Sequence, residues 1–259
     1  MTDMGALRYS KVALCTPCYD GRAHIGHNRS IGAFLGTLKR LDCEGRYFDA
    51  QHGANLPRLR NTLVAEALSW GAETILWVDS DVAFTPHDAL PLLRAREACV
   101  GAAIQRRPIA ENEPPSVTFR LMENGGVNYR SDGLVEVGLI GTAFAKTDRI
   151  VFEKMGEAGI ALRLENEGCS AAALPFLRSY FWYDPEDTGR VCAKTGEKLY
   201  RDPGEDYTFF RRASALGFKS FIHPTIRPVH HEGRMRLEKN FWDLHGAQIE
   251  AQLKPHAAE

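Results

Sequence analysis

The chain has 259 residues, 44% hydrophobic and 25% charged, a composition that suits one large folded domain over residues 1–259 and excludes a disordered chain. With 32 Lys and Arg against 33 Asp and Glu, its formal charge is -1, so no global basic field steers it onto nucleic acid, although basic residues can still cluster on one face. No stretch of about 18 or more apolar residues occurs, and Met1 to Lys11 lacks the apolar core of a signal peptide, so the expectation is a cytoplasmic protein with no membrane span. The six cysteines form no disulfide framework, and Cys15 and Cys18 make a single CxxC without the second pair that a structural zinc needs.

The pattern predicts a buried strand from Lys11 to Thr16, broken by Pro17-Cys18-Tyr19-Asp20-Gly21, then a helix over Ile25 to Leu41. A second strand is expected at Arg46 to Gln51. Leu56 to Trp70 carries apolar residues at helical spacing, starts with a Pro in its first turn and is closed by Gly71. The third strand, Thr74-Ile75-Leu76-Trp77-Val78, runs into Asp79-Ser80-Asp81. Strands alternating with helices predict a parallel sheet covered by helices.

Thr85-Pro86 opens a further helix to about Ala98, followed by a short strand at Cys99 to Ile104 and a loop from Arg106 to Pro115. Val117 to Leu121, Val127 to Tyr129 and Leu134 to Leu139, separated by Gly-containing turns, read as antiparallel strands. Ala143 to Lys146 continues into a helix near Asp148 to Gly156. The chain then reads as irregular and aromatic up to Gly204, where a helix begins at Glu205-Asp206 and leads to a strand at Lys219 to Ile222. A last amphipathic helix at about 238–253 has two readings, a cap on the core or a contact that pairs subunits into a homodimer.

Three segments carry candidate chemistry. Asp79-Ser80-Asp81 ends a buried strand, where ligands of open α/β sheets gather, and two short carboxylates one residue apart suit a hard divalent cation; Asp and Ser also end strands as plain turn formers and caps. Glu205 and Asp206 stand in the first turn of a helix, where they either offset the helix dipole or supply a general base for an acceptor hydroxyl. His230-His231 adds imidazole, which manganese accepts beside oxygen, and alternation along an extended segment lets only one of the two reach a metal.

Thr16-Pro17, Arg60-Asn61, Trp77-Val78-Asp79-Ser80-Asp81, Gly141-Thr142-Ala143-Phe144, Gly204-Glu205-Asp206 and His231-x-Gly233 occur in one order along the chain. Together they resemble glycosyltransferases of the GT-A fold, closest to the small family-2-like enzymes of bacteria and their phages. The resemblance spans about Lys11 to Gly233 and implies a Rossmann-like mixed sheet flanked by helices, with a nucleoside-diphosphate sugar (UDP- or GDP-linked) as donor and Mn²⁺ or Mg²⁺ as cofactor.

Carried over by position, the resemblance implies that Thr16, Pro17 and Tyr19 line the base and ribose pocket. Arg60 would approach the nucleotide while Asn61 holds the local loop, Asp79 would meet ribose or the metal and its water, and Ser80 would contact the nucleotide sugar. Asp81 would be the direct metal ligand. His231 would be the late metal ligand, with His230 as the alternative. Gly141 and Thr142 would lie beside sugar or acceptor, and Asp206 would be the base of an inverting transfer, with Glu205 as its neighbour. Trp182 and Tyr183, in a variable segment at about 163–203, are the acceptor candidates, by stacking or as part of a buried ring cluster.

The implied partners are an acceptor saccharide or, in a phage-type variant, a hydroxymethylated base in DNA, for which exposure of the base and salt-sensitive binding are expected. Arg94, Arg96, Arg106, Arg107, Arg211, Arg212, Arg227, Arg234 and Arg236 are either solvated faces or the rim of such a site. A sugar nucleotidyltransferase would carry a Gly-rich basic loop after its first strand, where this chain has Thr16-Pro17-Cys18-Tyr19-Asp20-Gly21. A non-catalytic binding module would not need Asp81, Asp206 and His231 together.

Overall fold

The computed structural model describes residues 7–51, 55–105, 117–122, 125, 128–165, 168–232, 235–237, 242–243 and 246. The expected loop at 106–115, Gly233 and nearly all of the expected helix at 238–253 lie outside them, as do Arg106, Arg107 and Arg234. The first half runs β1 (Lys11–Cys18), α1 (Ile25–Arg40), β2 (Glu44–Gln51), α2 (Leu56–Trp70), β3 (Thr74–Val78), β4 (Val82–Ala83), α3 (Pro86–Arg94) and β5 (Cys99–Gly101). Four short strands follow, β6 (Phe119–Arg120), β7 (Asn128–Tyr129), β8 (Val135–Val137) and β9 (Leu139–Ile140), then β10 (Phe144–Asp148) and α4 (Arg149–Glu157). The remainder is β11 (Glu186–Val191), β12 (Lys198–Arg201), α5 (Glu205–Ala215), β13 (Ser220–Ile222), β14 (Val229–Glu232) and β15 (Met235–Leu237).

The helix ends follow local chemistry. Asn55 caps α2 by accepting from the Arg58 amide at 3.1 Å, and Gly71 ends it in the left-handed region at φ 89°, which a side chain resists. Thr85 and Asp88 form a reciprocal capping box on α3. That helix stops at Arg94 rather than near Ala98, with its last turn interrupted by Pro91, which cannot donate a backbone hydrogen bond.

One mixed sheet of eight strands organises the molecule, in the order β2-β1-β3-β10-β5-β13-β8-β7. β1 is parallel to β2 and β3, and β13 is parallel to β5. β10 is antiparallel to both β3 and β5. The sequence pattern placed Ala143 to Lys146 only as a lead into a helix; the structure makes Phe144–Asp148 a fully buried central strand. Its interior position rests on Lys146, which is buried and donates to the Tyr9 hydroxyl at 2.8 Å and the Ala95 carbonyl at 3.1 Å while pairing with Asp148 at 3.2 Å. Burial lowers the lysine pKa, and Asp148 opposes that fall.

Alternation along the strands sorts the core into two layers. Ala13, Cys15, Ile75 and Trp77 point to one face, where they meet α2, α4 and α5 through Leu63, Phe152 and Phe209. Val12, Leu14, Leu76 and Val78 point to the other, against α1 and α3 through Phe34 and Leu92. The aromatic segment before Gly204 is not wholly irregular, because β11 and β12 pair as an antiparallel hairpin. Among the described residues no helix is long and apolar enough to cross a membrane.

The topology also fixes where the chemistry collects. β1, β2, β3, β5 and β13 share a direction, so their carboxyl ends lie on one edge. α2 leaves that edge and returns to the start of β3, and α5 ends at the start of β13. Both helices therefore present their first turns to the edge where Asp79 emerges.

Candidate functional site

Asp79 follows the last residue of β3, and the chain turns at once. The Asp79 amide donates to the Ala143 carbonyl at 2.9 Å, and the Val82 amide donates back to the Asp79 carbonyl at 3.0 Å. Three further contacts hold this turn. The His24 amide donates to the Ser80 carbonyl and the His231 amide to the Asp81 carbonyl, both at 2.8 Å, while His27 Nδ1 lies 3.2 Å from the Val82 carbonyl oxygen.

Arg60, in the second turn of α2, joins this turn to α5. Its Nη2 donates to Asp79 Oδ1 at 3.1 Å and its Nε to Glu205 Oε1 at 3.2 Å. The side chain is 3% exposed, and its guanidinium lies 5.4 Å from the Trp77 ring centre and 5.8 Å from that of Phe181. Burial works against the charge of Arg60, but Asp79, Glu205 and Asp206 outweigh it and raise its pKa. Burial likewise raises the Asp79 carboxyl; Arg60 opposes that rise and Asp81 adds to it. Arg60 Nη1 is buried with no hydrogen-bond partner among the described residues.

Asp206 sits one residue beyond the Arg60 contact. Burial first, then the neighbouring Glu205 carboxylate, push its pKa from 3.8 to about 6, with Arg60 and the Tyr207 amide holding it back. That amide donates to Asp206 Oδ1 at 2.7 Å. Gly204, before the helix, is at φ 88°. Gly141 faces Asp206 closely: a Cβ there would stand 3.2 Å from Asp206 Oδ2 and 3.0 Å from Thr118 Cβ, so the position admits only glycine without a shift. Thr142 is fully buried, and its hydroxyl has no hydrogen-bond partner among the described residues.

Asn61 turns away from Arg60 and pairs with a backbone. Its amide nitrogen donates to the Phe181 carbonyl at 3.1 Å and its oxygen accepts from the Phe181 amide at 2.8 Å. Phe181 is buried, stacked on Phe209 at 4.5 Å and edge-on to Trp77 at 5.3 Å. The next two residues, Trp182 and Tyr183, are exposed. Burial raises the Tyr183 phenol, and the Glu205 and Asp202 carboxylates add to the rise.

The late histidines part company, as alternation along β14 requires. His230, paired in register with Val82, brings Nε2 to 3.2 Å from Asp81 Oδ2, and its Nδ1 lies 3.0 Å from the Gln105 carbonyl oxygen. His231 instead stacks on His24 with ring centres 3.8 Å apart. Of the two expected ligands, the alternative His230 is therefore the one beside Asp81. Asp81 keeps a half-exposed carboxylate whose oxygen suits manganese or magnesium, and of these two the imidazole nitrogen favours manganese. Among the described residues no three His, Cys, Asp or Glu side chains converge closely enough to hold a metal alone.

The end of β1 runs beside the turn, since Cys15 pairs in register with Trp77 and His27 links Thr16 to the Val82 carbonyl. Thr16 is fully buried with its hydroxyl 3.3 Å from His27 Nε2, and Pro17 is buried as well. Tyr19, just beyond, is exposed. The sequence reading missed His24 and His27, whose roles depend on contacts with residues more than fifty positions away. Of the basic residues, Arg211 and Arg212 both meet Asp184, and Arg227 meets Asp243. No family model matches the chain, and no curated protein matches it at a significant level.

Proposed function

We propose that the protein is a metal-dependent glycosyltransferase of the GT-A type, moving a sugar from a nucleoside-diphosphate sugar to an acceptor hydroxyl. The observation that carries this reading is the Arg60 bridge. It ties the strand-end Asp79-Ser80-Asp81 turn to the Glu205-Asp206 pair, so a cation-seeking carboxylate and a base-like carboxylate border one region. The mixed sheet, in which β10 and β8 run against the other strands and helices cover both faces, supports the same reading.

In this reading Asp81 and His230 would hold the cation. A cation bound there offsets the negative charge of the departing nucleoside diphosphate. Asp206, with a pKa raised to about 6, is ionised at neutral pH yet basic enough to take the acceptor proton, which makes it the base of an inverting displacement. Arg60 keeps Asp79 and Glu205 in place, Gly141 leaves room beside Asp206, and Asn61 fixes the root of the Trp182-Tyr183 acceptor segment.

The test is Mn²⁺-dependent release of nucleoside diphosphate from UDP- and GDP-sugars. Wild-type protein is expected to release it and Asp81→Ala to lose nearly all release. Release by Asp81→Ala without added metal overturns the assignment.

A further inference from the structure

A cavity of about 710 Å³ opens between β8, β9, the β11–β12 hairpin and the junction of α5 with β13, within the volume range of small-molecule sites. Arg120, Arg201, Arg211 and Lys219 line it, against the carboxylates Glu136 and Glu186. Lys219 pairs with Glu136 at 2.8 Å, and the lining as a whole carries two more cations than carboxylates in a chain whose net charge is -1. One carboxylate oxygen serves two arginines: Glu186 Oε2 accepts from Arg120 Nη1 at 3.1 Å and from Arg201 Nε at 2.7 Å. These two arginines hold the Glu186 carboxyl down at about 2. Arg211 Nη2 donates to the Asp184 carbonyl at 3.2 Å and lies 3.9 Å from the Asp184 carboxylate oxygen that Arg212 meets at 2.8 Å.

Asp206 does not line this cavity, but Arg120 at one end of it reaches the residue that follows the proposed base. The Arg120 guanidinium lies 4.6 Å from the ring centre of Tyr207, the residue after Asp206. β6, which carries Arg120, pairs with β9, and the Gly141 amide that follows β9 donates to the Thr118 carbonyl at 3.0 Å. Asp206 Oδ2 faces that same glycine. From there the cavity follows α5 past Arg211 to Lys219 at the opposite edge of the sheet. Its walls also include Met122 and Leu139, an apolar surface suited to a ring or a base.

We infer that this cavity holds the acceptor, and that the acceptor carries phosphate. The inference rests on the transferase reading for one point only, that the acceptor hydroxyl is delivered to Asp206. Arginine forks match phosphate oxygens in pairs, and each of the two arginines engages Glu186 through a single nitrogen, leaving its other N–H groups to meet a ligand. A neutral saccharide accepts hydrogen bonds from such side chains but leaves the surplus positive charge unbalanced. A phosphate diester of a nucleic-acid strand and the phosphate of a sugar phosphate share this chemistry.

Equilibrium binding, measured by calorimetry without donor or cation, separates this inference from the transferase reading, which is tested by donor turnover. The probes are inorganic phosphate, a hexose phosphate, the unphosphorylated hexose and a short single-stranded oligodeoxynucleotide at low and high salt. The phosphorylated probes are expected to bind and the plain hexose not. R201Q and K219Q, both at exposed positions, each weaken binding roughly tenfold, the scale of one charge-assisted hydrogen bond. E186Q, which removes the competing carboxylate, tightens it, an effect that no loss of folding imitates. Binding of the oligonucleotide alone identifies a nucleic-acid strand as the source, and binding of the hexose phosphate alone a small acceptor. Equal binding by the plain hexose, no binding by any probe, or affinities unchanged in R201Q and E186Q overturns the inference.

Discussion

Arg60 and Glu205, 145 positions apart in the chain, meet through a hydrogen bond of 3.2 Å in which Arg60 Nε donates to Glu205 Oε1. The same guanidinium holds Asp79 at 3.1 Å. Removing one member of a buried ion cluster leaves the others desolvated and unpaired, which costs about 3–5 kcal/mol. Arg60→Met is therefore expected to lower stability to urea by roughly that amount, and adding Glu205→Gln to recover part of it. A double variant no more stable than the single one would show that the bridge is not what couples α2 to α5.

Asp206 sets a pH dependence. Its folded pKa of about 6 lies above the ordinary 3.8, so the cost of its buried charge is absent below the lower value and fully present above the higher one. Asp206→Asn should raise the melting temperature at pH 8 and leave it unchanged at pH 3. If Asp206 is the base, transfer by the wild type falls as pH drops through about 6, and the Asn variant loses a factor on the order of 100 or more. Equal thermal shifts at both pH values would count against the buried charge, and an unaltered pH profile in the variant against the base.

Asn61 satisfies both backbone groups of Phe181, which is buried. Asn61→Ala strands a buried donor and a buried acceptor, at a cost on the order of 2–4 kcal/mol. Amide exchange at Phe181 should quicken more than exchange in β1. Uniform quickening across the sheet would instead indicate global destabilisation.

His230 and His231 are distinguishable by titration with Mn²⁺. His230→Ala should weaken Mn²⁺ binding at least tenfold, because it removes the imidazole 3.2 Å from Asp81 Oδ2. His231→Ala, which removes a ring stacked on His24, should weaken it much less. The reverse order would return the ligand role to His231.

Much of the fold was legible because its signals are local. The apolar period of Leu56 to Trp70, its capping Asn55 and its closing Gly71 mark a helix whatever surrounds it, and the run Thr74 to Val78 is too uniformly apolar to be anything but buried. The central strand Phe144–Asp148 was not legible as such. It carries a lysine and an aspartate, and only the pairing of Lys146 with Tyr9 and Asp148 lets those charges lie inside the sheet. The β11–β12 hairpin was missed because its residues are mostly exposed and follow no apolar alternation.

For the candidate site, the sequence by itself determined which residue types were at hand: carboxylates after a buried strand, a carboxylate pair opening a helix, and two histidines on an extended segment. Tertiary structure alone decided their partners. It made Arg60 a bridge between carboxylates, gave Asn61 to Phe181, and set His230 rather than His231 against Asp81. The reason is geometric. A side chain's residue type sets what it can bond, but which of two alternating neighbours faces a given carboxylate depends on strand register and on chain segments more than a hundred residues apart.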